Sequence, residues 1–486
     1  MKARQIAEEM EGFRQSVSEM LATWNVPGVA IAIVKDGETV LAEGFGLRDV
    51  GKGLPVTPKT LFGIGSCTKA FTATAMGILV DEGKLDWDRR VRDYIPTFTM
   101  HDAFAGDHMT PRDLVCHCSG LPGHDFVWLN AACTRQELLE RLQYLEPNKD
   151  FRAVYQYQNL MFMAPGCLVG QISQSSWEAF VQERILDPLG MVRTNLSVRT
   201  SQTSEDVALP YHEREGEVNE VPFRNIDAIG PAGSINSCVT DMAQWLVLNL
   251  NKGKHGDQQI ISEGTLSEIH SPQMVIREAL KHPELLHSSY GLGWIVQPYR
   301  GHRLIRHGGR IDGFSALTSF MPHDNIGVVA LSNRDIAGTP LPTILTYQVY
   351  DRLLGLDLIP WSDRLKKEHD EAKEAAQKAK ERAVAERKSG TGLTHPLADY
   401  IGDFEHPGYG VVSVEVADGG LKATFHDMAF PLEHYHYDIF EMVSDLFDTR
   451  MTVSFISDVK GEISRLSIPL EPSVKDIIFT RMQDKS

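Results

Sequence analysis

The segment Gly63-Ile64-Gly65-Ser66-Cys67-Thr68-Lys69 sets a serine three residues before a lysine, ahead of the apolar run 70–80 that Gly83 stops. That run predicts a largely buried helix with Ser66 at its head. Positions i and i+3 share a helix face, so Lys69 comes beneath the Ser66 hydroxyl. A serine is a poor nucleophile at neutral pH. A close lysine, partly desolvated so that some of it is neutral, can accept its proton, and a helix N-terminus favours negative charge developing nearby. The chemistry such a pair could do is acyl transfer. The competing reading is an N-cap serine with an unrelated lysine one turn on, because Ser-x-x-Lys also occurs by chance.

Two further clusters could join it. Tyr157 stands two residues before Asn159, ahead of an expected apolar helix over 160–172, and the pair could present a phenol and an amide to one cleft. Beside a positive charge a phenolate becomes accessible and can act as general base. Tyr155 is the competing tyrosine, and ordinary ring packing is the alternative. His307-Gly308-Gly309 falls between a strand expected to end at Arg306 and one expected to begin at Phe314. Two glycines clear side chains from a place where a substrate backbone could lie along a strand edge. The next backbone N–H, that of Arg310, could form an oxyanion hole with that of Ser66. A glycine-rich strand connection is the alternative.

The elements that must carry these groups are legible in outline. Residues 1–23 read as a helix with apolar residues at three- and four-residue steps, and Asp36-Gly37 joins an apolar strand at 29–34 to a partner at 39–45. Strands are expected again at 302–306, 314–321 and 326–333, with a helix over 341–354. The economical picture is an α/β (α+β) domain: one antiparallel sheet made from the first hairpin and the late strands, helices on its faces, and a helical insertion between. The boundaries expected are a catalytic domain over 1–360, a charged helical linker over 361–392 and a small all-β barrel over 393–486. The linker run 363–388 holds nine basic and seven acidic residues and no glycine or proline. Short alternating segments at 411–416, 421–425, 451–456 and 463–469 suggest the barrel.

Composition narrows the partners. The 486 residues carry 48 Lys and Arg against 65 Asp and Glu, a net charge of −17. So negative a chain disfavours nucleic acid and anionic membrane as partners, since phosphate affinity comes mainly from basic residues. No stretch approaches 18 consecutive apolar residues, and Glu8, Glu9, Glu11 and Arg14 interrupt any export signal, so a cytoplasmic location is expected. The six cysteines, at 67, 116, 118, 133, 167 and 238, read as free thiols. Cys116-His117-Cys118 lacks the further ligands a metal needs, and His426, His434 and His436 are expected to pack, so no metal or organic cofactor is expected.

In their order and separation, Ser66-x-x-Lys69, Tyr157-x-Asn159 and His307-Gly308-Gly309 resemble the class C β-lactamase and D-alanyl-D-alanine carboxypeptidase-like serine hydrolases. The stretch 113–122, with Cys118-Ser119-Gly120-Leu121-Pro122, and the stretch 230–243, with Pro231-Ala232-Gly233, are similar to flanking segments of that family. The tail, through Ala398–Phe404 and Leu432–Tyr437, resembles a lipocalin-like barrel appended to some members. The resemblance implies Ser66 as nucleophile and Lys69 as the group that helps deprotonate it. Tyr157 would shuttle the proton to the leaving group, and Asn159, His307, Gly308 and Gly309 would bind substrate. The backbone N–H groups of Ser66 and Arg310 would be the oxyanion hole. The third motif departs from the Lys-Thr-Gly of antibiotic-degrading members, which weakens the case for β-lactams. The expected reaction is cleavage of a small amide, with a short peptide, including one of D-residues, as substrate. Esterase or acyltransferase action, a weak β-lactamase and a non-catalytic ligand-binding relative are the alternatives. Homo-oligomer formation is left open.

Overall fold

The structure, a computed structural model, describes residues 10–483 except 215, 278–280, 336–339, 418 and 445–448. The expected first helix is described over Phe13–Thr23 (α1); residues 1–9 lie outside the described range. Strand β1 (Gly28–Lys35) is an unbroken apolar run because both its faces are covered. Val29, Ile31 and Ile33 face one core, shared with Phe13 and Val17 of α1. Ala30, Ala32 and Val34 face the other, which holds the helical insertion. Asp36 and Gly37 both take positive φ, 54° and 82°, the pair of left-handed residues a tight hairpin needs, and the chain returns as β2 (Glu38–Asp49).

After β3 (Leu54–Pro55) come the insertion and then β4 (Met274–Ile276), β5 (Ser288–Tyr290), β6 (Ile295–Tyr299), β7 (His302–Ile311), β8 (Phe314–Met321) and β9 (Ile326–Ser332). The sheet order is β4-β5-β6-β7-β8-β9-β1-β2-β3, and neighbouring strands run antiparallel throughout. The hairpin and late strands thus form one sheet, closed by β9 on β1. One expectation is corrected: β7 does not stop at Arg306. Gly308 pairs with Leu317 and Gly309 with Ala316, so His307-Gly308-Gly309 lies within a strand and is not a connection. Glycine removes a side chain without removing the N–H and C=O that the ladder needs.

The insertion supplies α2 (Thr68–Asp81), buried on all sides through Leu79, and α3 (Asn159–Ser173). Phe71 of α2 stacks on Trp245 of α4 (Val239–Leu250) at 3.9 Å. Helix α5 (Leu341–Leu353) covers the far face of the sheet, and α6 (Trp361–Ala385) is the charged linker. Beyond it, eight strands close a barrel in chain order, from Gly402–His406 to Ile477–Arg481. Phe404, Phe425, Phe430, Phe440, Phe455 and Phe479 are buried there. The barrel rests on the helical insertion: His426 Nδ1 lies 2.9 Å from the Leu129 carbonyl, and Gly408 packs against Tyr144 and Leu145.

Candidate active site

Gly65 opens the nucleophile turn at φ 49°, and a Cβ there would stand 2.6 Å from the Arg310 backbone nitrogen. A single helical turn, Gly65–Cys67, then feeds α2 and leaves Ser66 half-buried at its head. Strand β7 crosses directly above: the Cys67 thiol donates to the His307 carbonyl at 3.2 Å. The backbones of Ser66 and Arg310 are thereby brought to one place.

Lys69 is fully buried, with Nζ 2.9 Å from Ser66 Oγ. The same nitrogen donates to Asn159 Oδ1 and to the Ala232 carbonyl, both at 2.8 Å. The Ala232 segment is pinned to α2, since Thr72 Oγ1 donates to the Pro231 carbonyl at 2.7 Å. Burial pushes the Lys69 ammonium down to about 7, against the opposing pull of Asp125 and Cys67. About half of it is then neutral at neutral pH, free to take a proton from Ser66.

Tyr157 and Asn159 reach the same cleft because Gln158 between them is extended, φ −147° and ψ 116°, so alternate side chains point the same way. Gln158 turns inward and caps α3, accepting from the Leu160 and Met161 N–H groups and donating to the Pro122 and Gly123 carbonyls at 2.9 and 3.1 Å. The Tyr157 ring lies 4.8 Å from Lys69 Nζ, with Ser66 close by. Burial raises the phenol well above its usual range, and the nearby Ser66 only partly opposes this. Burial thus favours the protonated phenol as the resting form. Tyr155 packs against Tyr290 and His117 at 5.5 and 5.6 Å.

His307 is buried, with Nε2 2.8 Å from the Tyr290 hydroxyl and its ring 6.4 Å from that of Tyr157. Burial, with Lys69 nearby, pushes it down to about 3, so it is neutral wherever the protein is folded near neutrality. The two glycines beside it differ. A Cβ on Gly308 meets only the Ala316 carbonyl oxygen at 3.7 Å, whereas one on Gly309 would lie 1.8 Å from the Ile64 carbonyl oxygen.

Several groups escaped the sequence reading. Asp125 Oδ1 accepts from Asn159 Nδ2 at 3.0 Å and from Trp128 Nε1 at 2.8 Å. Tyr290 holds His307. His117, at φ 61°, lies with its ring 4.2 Å from that of Tyr157 and accepts at Nδ1 from the Gln158 N–H. Only a positional signal existed for Tyr290, an aromatic residue in the small-residue run Ser288-Ser289-Tyr290-Gly291. The donor atoms of Cys116 and Cys118 do come within 4.8 Å of a carboxylate oxygen, that of Asp113. They are engaged with one another, however: the two sulfurs are 3.3 Å apart, Cys118 donates to Asp113, and Arg152 takes both Asp113 oxygens. His426 spans the Leu129 and Tyr409 carbonyls, and a bulge in the strand pairing separates His434 from His436. All six cysteines are free thiols.

The fold and the serine–lysine–tyrosine cleft define a serine hydrolase of the β-lactamase and penicillin-binding-protein class. Residues 13–350 match the Beta-lactamase family, and the chain belongs to it. Residues 386–481 match a domain of unknown function, DUF3471. The chain is 30% identical over 446 residues to the Unguisins hydrolase ungD of Aspergillus violaceofuscus, covering 85% of this chain and 78% of that one. It is 25% identical over 320 residues to Protein flp of Staphylococcus aureus, covering 64% and 60%. Among solved structures, the octameric penicillin-binding protein homologue from Pyrococcus abyssi aligns with TM-score 0.63 at 25% identity, over 96% of this chain and 98% of that one. No described helix is long and apolar enough to cross a membrane.

Proposed function

We propose that the chain is a peptidase for short peptides, working through an acyl-Ser66 intermediate. The observation that carries this is the buried Lys69 whose Nζ stands 2.9 Å from the Ser66 hydroxyl oxygen. Neutral Lys69 takes the Ser66 proton as Oγ attacks the substrate carbonyl, and the N–H groups of Ser66 and Arg310 receive the oxyanion. Tyr157, a phenol within reach of Ser66, passes a proton to the leaving amine as the C–N bond breaks. Water then attacks the acyl carbon, its proton returning through Tyr157 and Lys69, and Ser66 is released. Asn159 holds the substrate amide. The glycine-cleared edge of β7 supports an extended peptide as substrate, and neutral His307 supports a substrate without a carboxylate at that end of the cleft.

A relative named as a hydrolase supports turnover over silent binding. Ester cleavage and acyl transfer would run through the same acyl-Ser66, resolved by a different nucleophile. The barrel's eight strands in chain order support the lipocalin-like reading, the free thiols support a reducing compartment, and the octamer named for the Pyrococcus abyssi homologue supports self-association. The test is exposure of the purified chain to a fluorophosphonate, followed by mass analysis. An adduct on the Ser66 peptide, lost in Ser66→Ala, is expected; a folded protein without one refutes acyl-enzyme chemistry. Aminoacyl anilides of L- and D-residues, p-nitrophenyl esters and nitrocefin then rank the substrates, and esters preferred over every anilide would overturn the peptidase assignment.

A further inference from the structure

Asp125 is open to solvent on the cleft wall, yet its Oδ1 is held by two donors, Asn159 Nδ2 and Trp128 Nε1. Asn159 in turn accepts from Lys69 Nζ, so a continuous series of hydrogen bonds runs from Asp125 to the Ser66 hydroxyl. The residue before Asp125 is fixed just as firmly, and from the other domain. His124 is buried at φ 47°, a backbone conformation a side chain seldom adopts without support. Its Nε2 lies 3.0 Å from the Glu146 carbonyl and must donate; burial keeps the ring neutral, so its Nδ1 accepts from the Tyr409 hydroxyl of the barrel at 2.7 Å. Its backbone N–H donates to Glu471 Oε2, also of the barrel, at 2.9 Å.

We propose that Asp125 is a positioning residue that orients Asn159 and biases the charge of Lys69, and that the C-terminal barrel braces it through His124. The functional consequence rests on the acyl-Ser66 reading. The charged and titratable groups around the pair are few. Lys69 faces Asp125 and the Cys67 thiol, with His117 and His307 both kept neutral by burial. Asp125 faces Lys69, Glu471, His124, Tyr157 and Tyr409. An anionic Asp125 favours the ammonium form of Lys69, so removing that charge lets Lys69 lose its proton at lower pH.

The experiment follows the Lys69 titration directly, by NMR of the full chain carrying lysine labelled at the ε-carbon, with Lys69→Met identifying the signal. Asp125→Asn keeps an oxygen acceptor for Asn159 and Trp128, and the Lys69 midpoint is expected to fall by roughly half a unit to one unit. Asp125→Ala should show the same fall and lose about tenfold or more in the rate of Ser66 labelling, as a misplaced catalytic group does. Tyr409→Phe, on the barrel, should move the midpoint in the same direction by less and slow labelling several-fold. A midpoint in Asp125→Asn that coincides with wild type overturns the role of Asp125. A Tyr409→Phe protein whose midpoint and labelling rate both equal those of wild type overturns the brace. The titration midpoints can be measured whether or not Ser66 reacts; a wild-type protein that takes no adduct fails the acyl-Ser66 reading alone.

Discussion

Gly309 passes so near Ile64 that a Cβ on it would stand 1.8 Å from the Ile64 carbonyl oxygen, inside the turn that presents Ser66. Neither partner can yield, since one is a sheet strand and the other the start of the buried turn. Gly309→Ala should therefore cost about 1–3 kcal/mol or more in stability, the range for overpacking, and suppress fluorophosphonate labelling. Gly308→Ala, with its nearest neighbour at ordinary van der Waals distance, should leave the melting temperature within about a degree or two and retain labelling. Thermal melts and labelling rates of the two variants check the contrast.

The pH dependence of acylation follows from Lys69. With a value of about 7, the labelling rate should rise with pH through neutrality and level off above it, with no further limb from His307, already neutral, or from Tyr157, still protonated. Lys69→Met should remove the limb and slow labelling by about 100-fold or more, in the range general-base loss produces.

The same burial makes a stability statement. Between about 7 and 10.5 an unfolded Lys69 still holds its proton while the folded one has released it, so the unfolded state binds more protons and folding becomes more favourable as pH rises. Lys69→Met lacks this slope. The stability of the variant minus that of wild type should therefore shrink steadily from about pH 7 to 10, measured by denaturant unfolding at each pH; a constant difference would mean that Lys69 is not depressed.

His307→Lys would place a cation where the neutral imidazole now bonds Tyr290. The ratio of nitrocefin to uncharged p-nitrophenyl ester turnover should rise by about tenfold, as one added charge contact with the nitrocefin carboxylate would give. An unchanged ratio would show that the neutrality of this position does not govern selection.

Much of this arrangement was legible in the chain. The Asp36-Gly37 hairpin and the apolar runs at 314–321 and 326–333 mark central strands because burial on both faces demands continuous apolar sequence. Ser66 and Lys69 could be paired because helix geometry fixes what lies three residues on. Asp125 and Tyr290 could not be found this way: their partners lie 34 and 17 residues away, Asn159 elsewhere in the folded insertion and His307 two strands across the sheet, so no local periodicity links them. The extension of β7 through the glycines was hidden for a related reason, since a strand persists on backbone pairing that side chains do not report. Barrel strands such as Gly402–His406 and Met428–His436 carry exposed polar residues at alternate positions and a proline, which blur the apolar signal.

The barrel, its interior lined with buried phenylalanine rings, is joined to the cleft at His124 through Tyr409 and Glu471. From that joint the hydrogen bonds of the neighbouring Asp125 run through Asn159 and Lys69 to Ser66. The appended domain is in this sense part of the footing of the cleft, and a stiffer or softer tail is expected to retune the enzyme without any substitution in the cleft itself.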